Sequence, residues 1–99
     1  MKRVMVRYKV TPEAVAENEE LVRAVYAELQ QTQPAGMRYA TFQLDDGVSF
    51  VHVNFSDGAS LNELASFKAF QEGIAERCDE RPQVSELREI GSYRFDTNG

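Results

Sequence analysis

Ninety-nine residues, 42% apolar and 27% charged, suit a soluble chain with one core, and residues 1–99 read as a single domain. A net charge of −5 without a Lys/Arg cluster argues against nucleic acid or an anionic membrane as a partner. Cys78, the one cysteine, excludes an internal disulfide; one histidine without a carboxylate cluster argues against a transition-metal site.

The opening Met1-Lys2-Arg3 has no apolar signal core behind it and no run approaches membrane-spanning length, so the expected location is the cytoplasm. Arg3–Val10 alternates, with Val4, Val6, Tyr8 and Val10 on one face and Arg3, Met5, Arg7 and Lys9 on the other, which predicts a half-buried strand. Thr11-Pro12-Glu13 supplies a hydroxyl cap, proline in the first turn and a carboxylate at the positive helix end. A helix should run to about Thr32, burying Val15, Val22, Val25, Tyr26 and Leu29 and turning Glu17, Asn18, Glu20 and Glu28 outward. Pro34 and Gly36 end it.

Met37–Leu44 and Val48–Phe55 flank Asp46-Gly47, which favours a two-residue type I′ hairpin. That loop pairs Phe42 with Val51, Thr41 with His52 and Tyr39 with Asn54. The face carrying Ala40, Phe42, Leu44, Val51, Val53 and Phe55 is the more apolar, and we expect it against the helices. Tyr39, Thr41, Phe50, His52 and Asn54 would then face away. Beyond the Ser56–Gly58 turn, Ser60-Leu61-Asn62-Glu63 matches a capping box. A second helix should carry Leu64, Phe67, Phe70 and Ile74 as its apolar stripe, with a break possible near Ser66, and fade through Cys78–Arg81 to Pro82. Val84–Phe95 reads as the last strand, bent at Gly91, with Tyr93 closing a subunit edge and Thr97–Gly99 a frayed tail.

The order βαββαβ with right-handed crossovers gives an α+β, ferredoxin-like fold: a four-stranded antiparallel sheet, strands one and three central, both helices on one face. The open face would be an apolar patch that a second copy could cover, so a homodimer through the non-helical sheet face is expected.

In this element order, in the opening strand Val4-Met5-Val6-Arg7-Tyr8-Lys9-Val10 running into Pro12, and in the strand Phe50-Val51-His52-Val53, the chain resembles the dimeric α/β-barrel superfamily, and within it the antibiotic-biosynthesis-monooxygenase-like group. The resemblance spans residues 3–95. It implies two sheets packed face to face and pockets between each sheet and its helices. Members include cofactor-independent quinone-forming monooxygenases, heme-degrading monooxygenases and lactone isomerases. The chain departs from the oxygenase patterns: it has no tryptophan, its histidine is on a strand, and Arg7 stands where the heme-degrading kind has asparagine. The resemblance therefore carries the fold and no particular activity.

Two readings follow. In the first, a small aromatic or polyketide-type substrate is oxidised without a cofactor: His52 is the base, and Arg7 and Asn54 stabilise the resulting anion. Tyr39, Thr41 and Phe50 would line the ligand site. In the second, the chain is a non-catalytic small-molecule-binding or interaction homodimer in which the same residues fix subunit register. Arg7 could equally pair with Glu86 or Glu89. Phe67 and Phe70 read as core, and Cys78 as a half-buried helix residue.

Overall fold

The computed structural model describes residues 1–58 and 60–95; the tail expected at Thr97–Gly99 lies outside them. Four strands, β1 (Lys2–Val10), β2 (Met37–Gln43), β3 (Ser49–Ser56) and β4 (Cys78–Glu86), form one antiparallel sheet in the order β2-β3-β1-β4. A 3-10 turn at Pro12–Ala14 leads into α1 (Val15–Thr32), and a second at Leu61–Glu63 precedes α2 (Ala65–Gln71) and the single turn α3 (Ile74–Arg77). The ferredoxin-like α+β architecture expected from the sequence is the one observed, with β1 and β3 central.

The hairpin has the expected register, Tyr39 opposite Asn54, Thr41 opposite His52 and Phe42 opposite Val51. The turn differs. Gly47 N–H donates to the Leu44 carbonyl, and Gly47 is the one loop residue at positive φ, +79°, whereas type I′ needs two. The Asp46 carboxylate fixes the loop by accepting from the Val48 and Ser49 amides and the Ser49 hydroxyl.

The faces are inverted relative to the expectation. Phe50 and His52 are buried beneath the helices, while Phe42 on the other face is 59% exposed. The cause is β1. Cross-strand partners share a face, and β1 sets Val4, Val6 and Tyr8 opposite Asn54, His52 and Phe50. The alternating apolar side of the central strand therefore carries that side of the hairpin into the core. The core joins Tyr8, Val10 and Phe50 of the sheet to Val22 and Val25 of α1 and to Leu61, Leu64 and Phe70 around α2.

The second half also departs from expectation. Ser60 Oγ accepts from the Asn62 amide, as a cap should, but Leu64 is extended and α2 begins only at Ala65. Its entry is capped across the layer: Ser66 donates from both N–H and hydroxyl to Glu28 of α1, a residue expected to face outward. Those bonds hold the Glu28 carboxyl below the usual carboxylate range. Gly73, in the left-handed region at φ +78°, separates α2 from α3. The chain then enters β4 at Cys78, in the segment expected to be fading helix. Residues 87–95, expected as strand with a bend at Gly91, are not strand. Pro82 is tolerated because β4 is an edge.

Candidate functional site

A cleft of about 790 Å³ lies between the helix-facing side of the sheet and α2. Its walls are largely apolar and aromatic: Val4, Val6 and Tyr8 from β1, Tyr39 from β2, and Phe67 and Phe70 from α2. Phe67 and Phe70 stack on each other, and the His52 ring lies 5.3 Å from Phe70. Such a lining suits a flat apolar ligand fixed by a few polar groups.

Those polar groups are His52 and Asn54 of β3 and the Tyr39 hydroxyl of β2. His52 is 5% exposed, and each ring nitrogen has a protein partner. Nε2 lies 2.8 Å from the Tyr8 hydroxyl; Nδ1 lies 2.5 Å from the Tyr39 hydroxyl and 3.1 Å from Thr41 Oγ1. The network extends outward at both ends. Asn18 Nδ2 of α1 donates to the Tyr8 oxygen at 2.8 Å, and Arg77 Nε donates to Asn18 Oδ1 at 3.3 Å. On the other side Tyr26 of α1 bonds Thr41 at 2.7 Å.

Burial governs the titration of this cluster. Desolvation pushes the His52 imidazole down to about 4, so it is neutral at physiological pH. The same effect pushes the Tyr8 phenol up to about 12, opposed by its bond from Asn18, and raises Tyr39 and Tyr26. Every member of the network except Arg77 is therefore uncharged near pH 7. The Arg77 guanidinium is buried, but it is held by the Phe70 and Glu72 carbonyls and lies over the Phe70 ring.

The sequence-derived candidates divide accordingly. His52, Asn54 and Tyr39 line the cleft. Asn54 Oδ1 is buried with no hydrogen-bond partner, an acceptor facing an unfilled need. Thr41 touches His52 but stands behind it, and Phe50 is core, stacked on Tyr8 with ring centroids 5.6 Å apart. Arg7 does not join them. It sits opposite Val51 and Gln83 on the open face, so the expected convergence of Arg7, His52 and Asn54 in one cavity does not occur. Side chains of odd and even β1 positions leave opposite sides of the sheet, and Arg7 follows Met5, not Val6. Glu89, expected as an Arg7 partner, pairs with Arg3 at 3.5 Å.

The sequence reading missed Tyr8, Asn18 and Arg77 as site residues. Asn18 had a signal: it falls three residues after Val15 and four before Val22, on the buried stripe of α1. Tyr8 was placed correctly in the core face but without a polar task. Nothing local distinguishes Arg77 from the other arginines. Among the described residues no group of three or more His, Cys, Asp or Glu could hold a metal ion, and no helix is long and apolar enough to cross a membrane.

No protein-family model matches the chain, and no curated protein is significantly similar to it. Solved structures do match. A crystal structure of an antibiotic biosynthesis monooxygenase superposes with a TM-score of 0.74 at 20% identity, over 92% of this chain and 100% of the other. A Nitrosomonas europaea protein assigned as an antibiotic biosynthesis monooxygenase gives 0.73 at 17% identity, over 90% and 89%. A Caulobacter crescentus protein with the same assignment gives 0.70 at 21% identity, over 91% and 90%. The chain thus has the ferredoxin-like fold of antibiotic-biosynthesis-monooxygenase-like domains.

Proposed function

We propose that this chain, a single domain, is a cofactor-independent monooxygenase-like enzyme whose cleft takes a small oxygenated aromatic or polyketide-type molecule. The observation that carries this reading is the cleft itself: aromatic walls with His52, Tyr39 and the unpartnered Asn54 carbonyl on its sheet side. A ligand hydroxyl would satisfy Asn54 Oδ1, and a ligand oxygen would meet the Tyr39 phenol. The reaction would turn a ring CH2 flanked by arenes into a carbonyl. One atom of dioxygen enters the product and the other leaves as water, so no outside reductant is needed. His52, neutral and bonded at both nitrogens, would act through Tyr39, orienting that phenol toward the oxygen on which charge develops, and not by direct contact.

The fold of the named neighbours supports a homodimer through the open sheet face, where Phe42 is exposed beside Val51, Val53 and Phe55. A pairing of that face could bury on the order of 1,500 Å² in total. Sedimentation at micromolar concentration should give a dimer, and Phe42→Asp should convert it to a folded monomer; a wild-type monomer would refute the assembly.

Anthrone as probe tests the enzyme reading: one dioxygen consumed per quinone formed, lost in His52→Ala while the dimer persists. Binding without oxygen uptake would favour the second reading, a non-catalytic small-molecule-binding homodimer. The observation on its side is the His52 imidazole, whose low basicity and two protein partners suit a structural role as well.

A further inference from the structure

The buried network has a direction, and the direction is set at Arg77. A guanidinium only donates, so Asn18 must present its oxygen to Arg77 and its NH2 to Tyr8. The Tyr8 oxygen is then an acceptor, and its own hydrogen needs a partner. Tyr8 is 2% exposed, and His52 Nε2 is the acceptor within reach. If Nε2 carried the ring proton instead, the Tyr8 oxygen would receive two donors and its hydrogen would be stranded in the core. A donor stranded in the core forfeits its hydration with nothing in return.

With Nε2 accepting, the neutral ring carries its proton on Nδ1 and donates toward Tyr39 and Thr41. The single Nδ1 hydrogen serves both ring contacts, so the three hydroxyl hydrogens of Tyr39, Thr41 and Tyr26 meet two remaining bonds, Tyr39–Thr41 and Thr41–Tyr26. One hydroxyl hydrogen is left over. Of the three hydroxyl groups, only that of Tyr39 belongs to a residue lining the cleft. The opposite tautomer would leave no surplus there and would draw the Tyr39 hydrogen back onto Nδ1.

We infer that Arg77, acting through Asn18 and Tyr8, fixes His52 in the Nδ1–H tautomer and so frees the Tyr39 phenolic hydrogen to receive a carbonyl or phenolate oxygen of a ligand. Arg77, Asn18 and Tyr8 are positioning residues; Tyr39 is the group that touches the ligand. The last step rests on the ligand reading of the cleft proposed above, whereas the tautomer does not.

His52 is the only histidine, so one pair of ring nitrogen signals in a 15N–1H correlation spectrum reports the tautomer without ambiguity. In the ligand-free protein at pH 7, Nδ1 should give the protonated-nitrogen signal and Nε2 the lone-pair signal; the reverse overturns the proposal. Asn18→Asp keeps shape and the contact with Arg77 but accepts from Tyr8, which reverses the chain. It should move the proton to Nε2, and an unchanged Nδ1–H signal would overturn the role of Arg77 and Asn18. For the ligand step, 1,4-naphthoquinone offers an acceptor oxygen and naphthalene does not. Tyr39→Phe should weaken naphthoquinone binding about tenfold, the order of one hydrogen bond, and leave naphthalene unchanged. Equal effects on both probes, or none, remove Tyr39 as the donor. Failure of the wild-type protein to bind either probe overturns the ligand reading and the donor assignment with it, while the ring signals alone decide the relay.

Discussion

The two faces of the β2–β3 hairpin reverse the usual association between apolar content and burial. The helix-facing side of β2 and β3 carries Tyr39, Thr41, Phe50, His52 and Asn54, and the open side carries Ala40, Phe42, Val51, Val53 and Phe55. The more polar set is the buried one. Its polar atoms are matched within the layer, apart from the Asn54 carbonyl on the cleft, so little desolvation cost remains. Apolar residues on the open side stay at least partly exposed, Phe42 most of all. Hydrophobic content says that a face is to be covered, not by what.

The contrast is broken most severely at Phe50. Phe50→Ala, beneath the helices, should cost about 3–5 kcal/mol in urea unfolding, against about 0.5 kcal/mol or less for Phe42→Ala in the dissociated monomer. Equal costs would mean that the faces are not distinguished as described.

Next in size is the pH response of the buried face. The folded pKa of His52 lies near 4, below the ordinary 6.5 of the unfolded chain. Its contribution is therefore complete above pH 6.5 and is lost as pH falls from 6.5 toward 4, by about 3 kcal/mol. The unfolded state takes up a proton that the folded ring refuses. His52→Gln, which cannot titrate, should flatten the unfolding free energy across that interval; a variant that keeps the wild-type slope would place the titration elsewhere.

The smallest effect belongs to Arg7. Arg7→Ala should leave naphthoquinone affinity unchanged within error by fluorescence titration, because the sheet separates it from the cleft. A loss of affinity would place the ligand on the open face.

Much of the fold was legible in the sequence because it is local. Thr11-Pro12 opened a helix, Asp46-Gly47 set the hairpin register, and alternation in Arg3–Val10 marked the first strand. The side of the hairpin that faces inward was harder to read. It depends on the β1–β3 ladder, which joins residues more than forty positions apart, such as Val6 and His52. The pairing of β1 with β3 has no turn between them to fix it. The same distance hid the site: Arg77 and Asn18 meet across 59 positions. The β4 boundary failed for a local reason. Cys78–Arg81 is mostly charged and carries neither Gly nor Pro, and the break lies upstream at Gly73, five residues before the strand begins.

The edges of the sheet bear on how copies of this chain can add together. β4 is an outer strand, exposed along most of its length, with Asp79, Glu80 and Arg81 in succession, Pro82 in its middle and two register shifts against β1. A proline breaks the donor row, charges repel an incoming strand, and shifted register spoils a flat template. Strand-by-strand extension, which has no natural end, is obstructed on this side. Contact through a face is different: it consumes the sticky surface of both partners in one step and leaves nothing to recruit a third, so growth stops at a closed pair.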